Sequence, residues 1–217
     1  MNKLFTLDSP LMICLSRFAD MILLSLLWFV CSIPIITIGP STAALYYVTM
    51  KMVRQEEIKL GAGFFHAFKA NFKQGIILNL FFIVVGTVLA LDYLIMAGVE
   101  GTYGAICSAC FLVLGIWVLC IMFYTYPLQA QFVNPVLRTL KNAAILCVRR
   151  PLNTVVVFAV NMVPVFVAML SLALFIRIMP VWALLMPGAA AYVCAKRFVK
   201  IFDPMITPPL SQSTEET

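Results

Sequence analysis

The sequence predicts an all-α fold, a polytopic helical membrane protein with about five transmembrane helices and two cytoplasmic amphipathic helices. Three observations carry that prediction. Of the 217 residues, 63% are hydrophobic and 11% charged, with a mean hydropathy of +1.03, where an ordinary soluble domain is roughly half apolar and about one quarter charged. Several uncharged runs reach the ~20 residues that a helix needs to cross ~30 Å of hydrocarbon. The Lys and Arg residues cluster at the ends of those runs, which is how basic residues orient membrane helices. Lipid is therefore part of this chain's solvent, and secreted, fibrous and disordered classes fall away. Nothing divides the apolar pattern, so residues 1–217 read as a single integral membrane domain. The net charge of +6 reads as orientation and contact with membrane lipid, and nucleic acid is not an expected partner.

The first apolar run differs from the rest. Met21 to Met50 holds no charge over 30 residues, which as one helix would be ~45 Å long and too long for an upright span. Pro34 and Gly39-Pro40 must interrupt it. The expectation is a span over about 18–38, a turn at Gly39-Pro40, and a second helix over 41–54 whose restart Ser41 or Thr42 caps. A single first span puts the N-terminus outside, and that reading is preferred; a re-entrant hairpin bent at Gly39-Pro40 would keep it inside. No small-residue cleavage site precedes the Pro and Gly breaks, so the first run reads as a retained span and not as a signal peptide.

Four further spans follow at about 74–98, 103–126, 152–176 and 178–195, the last two divided at Arg177 and the Pro180 turn. In lipid a backbone must satisfy its own hydrogen bonds, so each is a helix. Lys51, Arg54, Lys59, Lys69 and Lys73 follow the first run; Arg138, Lys141, Arg149 and Arg150 lie between the third and fourth; Lys196, Arg197 and Lys200 follow the last. Those three regions are expected to be cytoplasmic, the C-terminus with them.

Two segments have helical spacing of apolar residues without the length to span, at about 61–73 and 134–150. The first carries Phe64, Phe65, Phe68 and Phe72 with Lys69 and Lys73 beside them, which suits a helix in the inner headgroup layer or a docking face for a partner. The second repeats the idea with Leu137, Leu140, Ala144 and Ile145. Both pass through a Lys and an Asn before a span, a hint of a duplicated unit.

Few residues are candidates for chemistry. Asp92 and Arg177 are ionisable groups inside apolar runs; their depths are similar enough to pair, either as a gate or solute site near the outer surface or as a structural bridge. Asn79, Asn161, Gln129 and Gln131 are polar groups of the kind that join helices by hydrogen bonds. Cys107 and Cys110 form a C-x-x-C with no second pair or His to complete a metal or redox centre, so a packed helix face is expected, and the seven cysteines read as free thiols. His66 is the sole histidine and has no neighbouring nucleophile, and Gly61-Ala-Gly63 lacks the Lys-Ser/Thr of a phosphate loop. No catalytic residue, metal ligand or cofactor is expected. Gly86, Ala90 and Gly115 would allow close helix packing within the chain or in a homo-oligomer.

Three stretches carry a family resemblance: Ala19-Asp20 leading into the Trp28 span; Pro34 to Thr49, with Thr37-Ile-Gly39-Pro40-Ser-Thr-Ala-Ala at its heart; and the Phe64 to Gln74 helix with Phe68, Lys69 and Asn71. Over roughly residues 19–78 the chain resembles the YesL-like family of bacterial integral membrane proteins, a domain of unknown function. That resemblance implies a multi-pass protein of the bacterial plasma membrane, and, since such proteins are often encoded beside carbohydrate ABC importers, an association with sugar uptake. It assigns no role to Thr37, Gly39, Pro40 or Asn71. The function expected is a non-enzymatic accessory or regulatory component whose partners are importer subunits. The alternative is a small solute transporter or channel that uses the Gly39-Pro40 break as a discontinuous helix.

Overall fold

The computed structural model describes residues 10–206, and every regular element among them is helical. In chain order these are α1 (Pro10–Cys31), a 3-10 turn (Ile35–Thr37), α2 (Ile38–Val53), α3 (Leu60–Ala70), α4 (Phe72–Ala97), α5 (Thr102–Gln131), α6 (Val136–Arg149), α7 (Pro151–Leu170) and α8 (Leu172–Ile206). Among the described residues, four helices are long and apolar enough to cross a membrane: α4, α5, α7 and, over Phe175–Ile206, α8. The protein is thus a helical chain built for lipid.

The first run does not form the span expected over 18–38. Helix α1 stops at Cys31 because Pro34 lacks the N–H that would continue the ladder and its ring clashes with the carbonyl four residues back. Pro34 is extended, with φ −73° and ψ 120°. The Gly39-Pro40 step is not the break. Both residues lie in the first turn of α2, where backbone N–H groups have no helical partner and a proline removes nothing. The restart is not capped by Ser41 or Thr42 either. Thr37 occupies the N-cap without a side-chain bond to the helix's N–H groups, Thr42 Oγ1 donates to the Ile38 carbonyl, and Ser41 Oγ is buried without a partner.

After the break the chain doubles back. Trp28 Nε1 donates to Thr42 Oγ1 at 3.1 Å, and Arg17 Nη1 donates to the Met52 carbonyl at 3.0 Å. The two bonds pair an early residue of each helix with a late residue of the other, so α1 and α2 run antiparallel.

Helix α2 is the centre of the fold. It packs on α1, α3, α4, α5 and α8, and eleven of its sixteen residues are buried, among them Gly39, Ser41, Ala43, Ala44, Val48 and Met50. Small residues let the surrounding backbones approach closely, which is what drives helix packing where lipid is as apolar as the core. The closest approach is at Gly39 and Gly75. A Cβ on Gly39 would run into the Gly75 carbonyl, and one on Gly75 would lie 2.7 Å from the Pro40 nitrogen. The core continues through Phe64, Tyr124, Phe198 and Phe202, all fully buried; Tyr124 meets Phe198 edge to face with centroids 5.2 Å apart, and Phe198 stacks on Phe202.

Elsewhere the helices barely bury one another. From Ile83 through Leu119, the outer part of α4, its turn and most of α5, Gly104 alone is buried. Helix α5 also runs through Pro127 to Gln131, beyond the expected end at 126. The division of the last apolar run falls at Ser171, which is extended with φ −161° and ψ 110°, and not at Arg177 and Pro180. Both of those residues sit inside α8, which continues through Pro180, Pro187 and Pro204; membrane helices tolerate proline where neighbours and local adjustment satisfy the freed groups. Helices α3 and α6 occupy the two expected short segments.

Candidate functional site

The break between α1 and α2 frees backbone groups, and freed carbonyls in a membrane protein are where ions and solutes bind in transporters. Here the carbonyls of Cys31, Pro34 and Ile35 are met by the chain's own side chains. Thr37 Oγ1 lies 2.7 Å from the carbonyls of both Cys31 and Pro34. Asn79 Nδ2 donates to the Ile35 carbonyl at 2.8 Å, and Asn79 Oδ1 accepts from the Tyr126 hydroxyl at 3.2 Å. Asn79 thus ties α4 and α5 to the turn. Its place 44 residues from Ile35 is fixed by the Gly39–Gly75 contact one helical turn away.

A second polar centre joins the far end of α2 to α5 and α8. Arg54 donates from Nε and Nη2 to Asp203 Oδ1 at 3.0 and 2.7 Å, and from Nη1 to Gln131 Oε1 at 3.0 Å. Arg17, on the Met52 carbonyl, caps the same helix end, and cations there complement its partial negative charge. Beside them Lys51 pairs with Glu56 at 3.2 Å and stands over the Tyr47 ring; the hydrogen bond to Glu56 holds its ammonium above the usual lysine range.

Next to this junction lies a cavity of ≈ 270 Å³ between α2, α3 and the adjoining ends of α4 and α5. Tyr47, His66, Asn71, Gln74, Gln129 and Gln131 supply its polar lining. Gln129 is 3% exposed; its Nε2 donates to the Asn71 carbonyl at 3.2 Å, but its Oε1 has no partner. Leaving such an oxygen unpaired costs about 1–3 kcal/mol. A separate cavity of ≈ 320 Å³ between the α1–α2 pair and α7–α8 is mainly apolar, with Trp28, Thr42, Tyr46 and Asn161 on its wall.

Other residues singled out in the sequence scatter. Asp92 is half-buried on α4 and Arg177 exposed on α8. They are not joined: the ion pairs among the described residues are Lys51–Glu56 and Arg54–Asp203. The α3 face is split. Phe64 is fully buried, against the expectation that it faces outward, because α3 rolls it onto α2; Phe68 is partly buried behind it, with its ring stacked at 6.4 Å. Phe65, Lys69 and Phe72 are exposed. Cys110 is exposed and Cys107 half-buried, so they do not form the packed face expected; the six cysteines from Cys31 to Cys194 are free thiols, and the Cys14 side chain lies outside those described. Asn71 Nδ2 donates to the Ala67 carbonyl, within its own helix end. Asn161 joins α7 to α8 through Cys194 Sγ at 3.7 Å. No group of three or more His, Cys, Asp or Glu gathers among the described residues. Sequence reading missed the Arg17, Arg54 and Asp203 junction; Arg54 and Asp203 lie 149 positions apart, and charges at run ends look alike whether paired or solvated.

The model of the family described as "Protein of unknown function, DUF624" matches residues 21–93, about a third of the chain. That stretch holds half of α1, most of α4 and all of α2 and α3, so it contains the break, the Gly39–Gly75 contact and Asn79. No curated protein and no solved structure matches the chain.

Proposed function

We propose that this chain is a non-enzymatic, multi-pass protein of the bacterial plasma membrane that acts as an accessory or regulatory component of a larger membrane assembly. Carbohydrate ABC import is the assembly that the YesL-like resemblance suggests. The observation that carries the reading is the sealed break: the carbonyls of Cys31, Pro34 and Ile35, which a discontinuous-helix transporter would offer to its solute, are engaged by Thr37 and Asn79. The transporter alternative loses its main support, since Gly39 and Pro40 are helical and packed. The wide apolar flanks of α4 and α5 suit spans that lie against lipid or another protein's helices. Phe65 and Lys69 on α3, with Phe72 at the start of α4, are the available part of the proposed docking face.

The finer topology is part of the proposal. We take α1 and α2 as a re-entrant pair, in place of a fifth span, with α3 and α6 as amphipathic helices at the cytoplasmic surface beside the C-terminus. The test is capture of the tagged protein from native membranes in mild detergent, with mass spectrometry of what accompanies it. Importer permease or ATPase subunits should be enriched with the parent chain and lost with Phe65→Asp/Phe72→Asp. Recovery of the chain alone, or as a homo-oligomer, would contradict the accessory reading.

A further inference from the structure

We infer that the cavity between α2, α3 and the ends of α4 and α5 is a binding site for a small, uncharged polyhydroxyl molecule. Gln74 Nε2 donates to the Asn134 carbonyl at 2.7 Å and to Thr139 Oγ1 at 3.3 Å; Asn71 Nδ2 donates to the Ala67 carbonyl; Gln129 Nε2 donates to the Asn71 carbonyl. Each of these three carboxamides has spent at least one N–H on the protein, Gln74 both, and their oxygens are left as acceptors. For Gln129, nine-tenths buried and more, that oxygen has no partner at all. Gln131 is the reverse case: its oxygen accepts from Arg54, and its N–H groups remain as donors.

A lining that offers both acceptors and donors selects a ligand group that both donates and accepts, and the hydroxyl is the small neutral group that does so. No Asp, Glu, Lys or Arg lines the cavity, His66 is its one titratable group besides Tyr47, and Lys51 and Arg54 behind it are already paired with Glu56 and Asp203, so a charged ligand would find little counter-charge and would lose its hydration. Cations are further disfavoured because Lys51 over Tyr47 and Arg54 on Gln131 stand just behind the wall. The Tyr47 and Phe132 rings supply apolar faces for the carbon skeleton. At ≈ 270 Å³ the space lies at the small end of ligand pockets, which suits a single polyol ring.

The test uses the full chain in lipid nanodiscs, with myo-inositol and D-glucose as probes and D-glucosamine and D-glucose 6-phosphate as charged counterparts, read by saturation-transfer NMR titration. Both neutral probes should give saturable binding, weakened about tenfold or more by Gln129→Leu, which removes a buried acceptor, and unchanged by Gly86→Ala. Should Gln129→Leu fail to fold, the parent chain still decides between neutral and charged probes. The inference is overturned if neither neutral probe saturates, which would make this a water-filled cavity only, if binding survives Gln129→Leu, or if the charged counterparts bind as tightly. Failure here would leave the capture experiment untouched, and failure of the capture would leave this binding untouched.

Discussion

Helix α2 and the outer hairpin of α4 and α5 are both uncharged over long stretches, yet they lie at opposite extremes of burial. Eleven of sixteen α2 residues are buried, whereas from Ile83 to Leu119 Gly104 is the single buried residue. The hairpin is the more hydrophobic of the two by composition, with Ile, Leu, Val and Phe where α2 has Gly, Pro, Ser, Thr and Ala. In water the greasier segment would be inside. In lipid apolar side chains gain nothing by leaving the solvent, so the inside goes to small residues that permit close approach and to polar groups that need a partner. Gly39, Ser41, Ala43, Ala44 and Thr49 mark the centre of this protein; Leu91, Leu94 and Ile106 mark its rim.

Glycine gives the sharpest break of that comparison. Gly39→Leu or Gly75→Leu drives a side chain into backbone on the neighbouring helix, which does not yield as a flexible side chain would. A loss of about 3 kcal/mol or more is expected, measured by reversible denaturation in mixed micelles. Gly86→Ala and Gly115→Ala meet open space and should leave stability unchanged or raised by up to about 1 kcal/mol. Equal effects at the two pairs would dissolve the distinction between centre and rim. Asn79→Ala comes next. It strips a partner from the Ile35 carbonyl and from the Tyr126 hydroxyl, and about 2 kcal/mol should be lost; a silent Asn79→Ala would mean that the break is not held shut by this side chain.

The Arg54 junction is partly exposed, with 18% of the Arg54 and 48% of the Asp203 side chain in contact with solvent. Salt screens such pairs and their net value is modest. Asp203→Asn should therefore cost about 1 kcal/mol, less at high salt, and a salt-independent loss would point to packing instead. Ser41→Ala carries the smallest effect and the opposite sign. Its hydroxyl is buried without a partner, so removal should raise stability by about 0.5–1 kcal/mol, and a loss would mean that the hydroxyl is in use.

The fold class, the interruption of the first run and the two short helices between spans were legible in the sequence, because each rests on a local signal: run length, proline chemistry, or apolar spacing with flanking charge. What was not legible has a common cause. Ser171 ends a helix and Pro180 does not, but both sit in one apolar run whose hydropathy is the same on either side. Phe64 and Phe65 are neighbours four and three residues from Phe68, both at helical spacing, and which of them turns inward is decided by α2. Asn79 was readable as a group that joins helices; that it closes the break required the Gly39–Gly75 contact. The cavity beside Gln129 draws on four helices, and no spacing in the chain announces it.

The central claim is that the chain turns back at Pro34, so that the start of α1 and the end of α2 share one side of the membrane. Ser16 and Gln55 are both exposed, and single cysteines at these positions in a background free of cysteine can be reacted with a membrane-impermeant maleimide in sealed vesicles of known orientation. Ser16→Cys and Gln55→Cys should label from the same face. Labelling from opposite faces would make α1 a full span and contradict the hairpin.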